Sequence, residues 1–153
     1  NNKKILDTLK SRCLTYKINL TFNDSIYITN KLINENILNL LNTDLINYYN
    51  TPGDFLNLIK FSKLNNLNLK EFNLCNFLSL LINEKYYKKD DFMKSYIFNF
   101  IELYFLKVFS KSTYKNNVIN FYSKFIRKID DTNKFNLDHD SLFMELKSKI
   151  LNG

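Results

Sequence analysis

Apolar residues recur along most of this chain at a helical period, with one stretch at a period of two. Leu14, Tyr16, Ile18, Leu20 and Phe22 alternate with Thr15, Lys17, Asn19 and Thr21. Such alternation predicts a strand with one buried face, and so a strand or hairpin near residues 14–28. Leu14, Ile18 and Phe22 also align at helical spacing, but the extended reading accounts for more of the positions. Lys3 to Lys10 precedes it as a short helix. Asn23-Asp24-Ser25 reads as a turn or an N-cap.

Beyond that point the spacing is helical. Ile26 to Ile33 is one candidate. Asn36 to Tyr49 is a second, with Ile37, Leu40, Leu41, Leu45 and Tyr48 along one side. Pro52 and Gly53 break the pattern, and Asp54 is placed to cap a helix from Phe55 to Leu64. Glu71 to Asn83 follows, with Leu74, Phe77, Leu78, Leu81 and Ile82 inward. Asp90-Asp91 suits the positive end of a helix dipole. Phe92 to Phe109 is apolar nearly all round, which predicts a central helix that neighbours surround. Lys94, Glu102 and Lys107 interrupt it, and it falls short of the ~20 apolar residues a membrane span needs. Ser112 or Thr113 caps Tyr114 to Ile129, whose stripe is Val118, Tyr122, Phe125 and Ile129. Asp130-Asp131-Thr132-Asn133 reads as a loop. The last helix runs from Ser141 to Leu151, with Leu142, Leu146 and Ile150 inward, Asp138 or Asp140 at its start and Gly153 at its end. The expected fold is therefore mainly α: one domain of about seven helices, either a compact bundle or a short solenoid of stacked helical pairs.

Composition sharpens this picture. The chain has no Ala, Gln or Trp, but 14 Phe and 10 Tyr. Without the best helix former, and with Asn abundant, packing must hold these helices more than propensity does. Large aromatic and aliphatic side chains must fill the core without small spacers. The 153 residues carry a formal net charge of +7. That favours an anionic partner such as nucleic acid, an acidic protein or a membrane surface, although AT-rich coding also enriches Lys. Cys13 and Cys75 make no disulfide framework and are expected as buried thiols. The chain opens Asn1-Asn2-Lys3-Lys4 without Met or a signal-peptide pattern, which suits a piece of a longer or processed protein.

Catalytic chemistry finds little to work with, so no enzyme, metal site or cofactor is expected. His139, the single imidazole, lies between Asp138 and Asp140 and reads as an exposed loop residue. Nothing places it beside a Cys. Asp90-Asp91 and Asp130-Asp131 read as caps and dipole partners. Gly53 and Gly153 cannot form a phosphate-cradling loop. The sequons at Asn19 and Asn23 carry little weight in so Asn-rich a chain. Basic clusters are the better lead. Lys85, Lys88 and Lys89 can meet phosphates while Tyr86 and Tyr87 stack on unpaired bases. Lys115, Asn120, Lys124, Arg127 and Lys128 can do similar work on the following helix, unless both clusters are simply solvated faces.

Asp54-Phe55-Leu56-Asn57-Leu58-Ile59-Lys60-Phe61-Ser62-Lys63-Leu64-Asn65, followed by Glu71-Phe72-Asn73-Leu74-Cys75, resembles the helical-pair repeats of heptatricopeptide and octotricopeptide proteins, including RAP-domain and FAST-kinase-like relatives. Asp24, Asp54 and Asp90 or Asp91 recur at a compatible spacing. The resemblance covers this one stretch well, and no RAP-type C-terminal domain is recognisable. It implies stacked pairs, RNA binding, a mitochondrial setting and a structural place in a ribonucleoprotein or ribosome, among other protein subunits. The length, the surrounded helix and the coding bias also resemble virus-encoded Bcl-2-like proteins, which implies a groove for an amphipathic helix. The absence of Trp departs from that family. A structural subunit of a large assembly without nucleic acid is the remaining expectation.

Overall fold

Capping chemistry decides where most of the helices begin. Helix α1, Phe22–Ile33, starts from a capping box: the Thr21 hydroxyl accepts from the Asp24 amide at 3.2 Å, and the Asp24 carboxylate accepts from the Thr21 amide at 3.1 Å. Helix α3, Pro52–Leu64, repeats the device with Thr51 and Asp54, at 3.2 and 2.9 Å, and adds Pro52 in its first turn. Each box satisfies two amides that the helix itself leaves without partners. Asp24 and Asp54 therefore sit in the third helical position and not at the cap. The computed structural model describes residues 20–135 and 137–148. Among these there is no strand. The hairpin expected near residues 14–28 is replaced by α1 from Phe22 onward, because the Thr21 box commits the chain to a helix. Residues 14–19, the expected helix at Lys3 to Lys10, Cys13, Ile150 and Gly153 lie outside the described residues.

The helix expected from Asn36 to Tyr49 does not form as one element. It is divided into α2, Ile37–Leu40, a 3-10 turn at Thr43–Leu45, and an irregular stretch to Asn50. Asn36 caps the start of α2, and the Asn42 and Asn47 side chains turn the backbone beyond its end. Asn36 accepts from the Leu38 amide at 3.0 Å, Asn42 from Asp44 at 2.9 Å and Asn47 from Tyr49 at 3.4 Å. Each such turn offers the backbone an alternative to helical bonding. Of the expected inward side, Ile37, Leu41 and Leu45 are buried and Leu40 is half-buried, but Tyr48 faces outward.

Five more helices follow: α4 Leu74–Asn83, α5 Tyr86–Lys89, α6 Asp91–Lys111, α7 Lys115–Lys134 and α8 His139–Leu146. Asn73, Asp90 and Asp138 cap α4, α6 and α8. Ser112 does not cap α7 as a side chain; its hydroxyl accepts from the Tyr114 amide just outside the helix. Asp130 to Asn133, expected as a loop, continue α7. Thr132 is buried there, and its hydroxyl donates to the Lys128 carbonyl at 2.7 Å.

These elements pack as a mainly α bundle around one hydrophobic core. Helix α1 lies on α3, while α4, α5 and α7 lie on α6. Phe61, Phe77 and Phe100 link α3, α4 and α6 through edge-to-face contacts, with ring centroids 6.4 and 5.2 Å apart. Such pairs add to simple area burial. Helix α6 is not surrounded on every side. Ser95, Asn99, Glu102 and Leu106 form a stripe that faces water. Among the described residues no helix is long and apolar enough to cross a membrane.

Candidate functional site

Leu106 is the one large apolar residue on that water-facing stripe, and it is 49% exposed. At 3.6 residues per turn, Leu103, Lys107 and Ser110 fall to one side of it, and Glu102, Phe105 and Phe109 to the other. Each side opens into a cleft, and Leu106 is the ridge between them.

The first cleft, of about 700 Å³, lies between α6, the start of α1 and the irregular segment after α2. Phe22, Leu38, Ile46 and Leu103 contribute its apolar lining. The Lys107 ammonium donates to both the carbonyl and the carboxylate of Asp44 at 2.9 Å, which ties the 3-10 turn to α6. Asn47 prevents the next residues from becoming helical, and this leaves Tyr48 and Tyr49 at the rim, 78% and 84% exposed. Tyr48 leans on Phe22 with ring centroids 5.1 Å apart.

The second cleft, of about 230 Å³, runs between α6 and α7 and is lined by Phe105, Phe109, Ile119 and Tyr122. Glu102 also lines it. Burial, and then the Glu102 charge, push the Tyr122 phenol above its ordinary pKa. Beside this cleft, the Lys115 ammonium lies 5.4 Å over the Phe109 ring. Lys111, the last residue of α6, lines a separate cleft with Asp44, Cys75 and Tyr104. The second cleft is therefore apolar in most of its lining, with Glu102 on its wall and Lys115 beside it.

The basic residues singled out from the sequence fall into two separate groups. In the first, Tyr87 is 5% exposed; its hydroxyl donates to Asp140 at 2.6 Å and its ring packs on Phe143 at 4.4 Å. Burial, and next the bond to Asp140, raise the Tyr87 pKa far above the usual phenol range. Lys85 and Lys88 also reach Asp140, at 2.8 and 2.7 Å, and Lys88 reaches Asp138 at 3.2 Å. Bonds from Lys85, then Lys88, then Tyr87 hold the Asp140 carboxyl well below its ordinary pKa. Lys85 holds a left-handed backbone, φ 54°, which is uncommon for a residue with a Cβ. Tyr86 packs edge-to-face on Phe61 at 5.0 Å, and Lys89 lies 5.8 Å over the Tyr86 ring. This cluster latches α5 to α8. Tyr87 is not free to stack on a base, and Lys85 and Lys88 already face carboxylates.

In the second group, Lys128 pairs with Glu145 at 2.5 Å. Lys115, Asn120, Lys124 and Arg127 are exposed on α7. Because Asp130 and Asp131 belong to the same helix, two carboxylates stand one turn from Arg127. Helix α8 stands between the groups, since Phe143 meets Tyr87 and Glu145 meets Lys128.

His139 is the first residue of α8, half-buried near Phe98 and Phe143 at 6.2 and 6.1 Å, and not a loop residue. Cys75 is half-buried, and burial followed by the Asp44 charge pushes its thiol pKa up. His139 and Cys75 line different clefts. Among the described residues no three His, Cys, Asp or Glu side chains converge on a metal-sized site. Sequence reasoning missed Leu106, Tyr48 and Tyr49. The available signal was a leucine in line with Ser95, Asn99 and Glu102. No known protein family, characterised protein or solved structure matches this chain.

Proposed function

We propose that this chain is a non-catalytic, protein-binding helical module whose working surface is the apolar face on either side of Leu106. The observation that carries the reading is the pair of open clefts flanking one long helix, with two tyrosines exposed at the rim. Exposed apolar surface of this kind is a liability unless another surface covers it. Tyr is also a side chain that contributes much interface energy at low entropic cost. An RNA-associated role is the second reading. It rests on Lys115, Asn120, Lys124 and Arg127, which keep their exposed places on α7, and it no longer has Tyr87 to offer for stacking.

Radical footprinting of the protein in its native assembly separates the two. Protection of Tyr48, Tyr49 and Leu106, unchanged by ribonuclease, is the expected pattern. Protection confined to Lys124 and Arg127 and abolished by ribonuclease would overturn the protein-binding reading in favour of RNA.

A further inference from the structure

We infer that the cleft between α5, α6 and α8 is a site for a small molecule made of a planar aromatic ring and a carboxylate or phosphate group. The cleft, of about 280 Å³, is lined by Tyr87, Lys88, Lys94, Phe98, His139 and Phe143. It shares no lining residue with the clefts beside Leu106, so it stands apart from the proposed protein-binding role. Its size is just under the ~300 Å³ at which pockets for drug-sized ligands begin, which limits the occupant to a ring and its substituent. Most of the lining is aromatic. The centroids of Phe98 and Phe143 are 5.8 Å apart, those of His139 and Phe143 6.1 Å, and those of Phe98 and His139 6.2 Å. These are the separations of rings in mutual contact, so no further ring slides between them. They form instead a platform on which a flat ring can lie. Tyr87 and Phe143 are buried and make its floor, while Phe98 and His139 are half-buried.

Charge decides the rest of the ligand. Lys88 and Lys94 line the cleft, and no carboxylate does. Lys88 is held by Asp140 and Asp138, at 2.7 and 3.2 Å, so its charge is already balanced. An ammonium has three N–H donors, which leaves Lys88 one to give. Lys94 is exposed on α6 and forms no ion pair among the described residues. Asp91, three residues before it, lies outside the lining. Lys94 and Phe98 are four residues apart on one helix and share a face, so the anionic group of a ring stacked on Phe98 falls within reach of Lys94. A quaternary ammonium, which aromatic rings alone would suit, meets two ammonium groups here. The Asp140 latch also forms the site in advance. By joining α5 to α8 it brings Tyr87 and Lys88 to His139 and Phe143 without a ligand, which lowers the ordering cost of binding.

The test is an NMR titration of the full chain with phenyl phosphate as the probe. Binding with Kd about 1 mM is expected for a fragment of this size, with shifts confined to the residues that line the cleft. Cyclohexyl phosphate, which keeps the charge without the flat ring, should bind about fivefold weaker. Inorganic phosphate and benzyltrimethylammonium should leave the His139 ring signals unmoved. Lys94→Glu, at an exposed position whose fold is checked by an unchanged melting curve, should weaken phenyl phosphate about fivefold. Phe98→Leu should bring phenyl and cyclohexyl phosphate to equal affinity. Lys94→Glu leaves the packed rings intact, so it decides the matter even if Phe98→Leu fails to fold. The inference is overturned if no shift appears at about ten times the expected Kd, or if the shifts spread over lysines elsewhere. It is overturned equally if Lys94→Glu binds as the parent does. A single-stranded oligonucleotide that displaces phenyl phosphate at far lower concentration would show that the ring is a base of RNA, and would overturn the small-molecule assignment.

Discussion

Helices α4 and α7 are both laid against α6, and they meet it differently. Of the ten residues of α4, Leu74, Phe77, Leu78, Leu81 and Ile82 are buried. Helix α7 has twenty residues, yet only Phe125 and Thr132 are buried among its described side chains. Phe121, Tyr122, Val118 and Ile129 are half-covered. The difference bears on the second cleft. Where α4 packs on α6, the five buried side chains interlock, and the open space, about 320 Å³, is confined to the start of α4 beside Cys75 and the end of α6. Where α7 packs on α6, the contact passes through Phe105 and its neighbours Phe121, Tyr122 and Phe125, with centroids 6.0, 5.0 and 6.1 Å away, and leaves a hollow beside Leu106. The more closely packed helix contributes five side chains to the core, and the more loosely packed one contributes Phe125 and Thr132.

Truncating each anchor tests that comparison. Phe77→Ala should cost about 3–5 kcal/mol, read from chemical denaturation, because a rigid surround cannot close the cavity. Phe125→Ala should cost less than the lower end of that range, since α7 can shift to fill the space. Its signature should be faster hydrogen exchange in α7 alone. Equal losses at the two sites would erase the distinction between the helices. Thr51→Ala, which removes one capping box from α3, should cost about 1 kcal/mol.

Charge pairs come last. A double-mutant cycle on Lys128 and Glu145, both partly exposed, should give a coupling below about 1 kcal/mol that fades with salt. The Asp140 latch should be visible in acid. Its folded-state pKa is lowered, chiefly by Lys85, so its contribution is complete above the unfolded carboxylate range and disappears as pH falls through the lowered value. Asp140→Asn should therefore flatten the acid limb of the stability profile relative to the parent, while leaving binding at the Leu106 face unchanged.

How much of this was legible in the sequence varies with the range of the interaction. The inward positions of α4 followed from the 3.6-residue period alone, and all five are buried. The mainly α character followed too. Helix ends were harder, because Thr21 and Thr51 cap through a partner three residues on, and the sequence reading assigned the cap to the Asp. The Asn36–Tyr49 stretch misled for a related reason. Its apolar spacing identified Ile37, Leu41 and Leu45 as core positions, but the Asn42 and Asn47 side chains redirected the backbone and left Tyr48 outside. At the candidate site, the commitment of Tyr87 to Asp140 joins residues 53 apart in sequence, and no local pattern encodes that. Leu106 could have been noticed as a leucine on a polar line. The clefts beside it depend on how α7 and the segment after α2 sit against α6, which only tertiary packing decides.

The most direct test is hydrogen–deuterium exchange on the full chain, alone and in its native assembly. The account predicts slow exchange in α6 in the chain alone, since a face built on the packed core is already formed. It also predicts added protection at residues 43–49 and at the α6–α7 junction. Protection that falls instead on the outward face of α7, or none in the assembly, would contradict it.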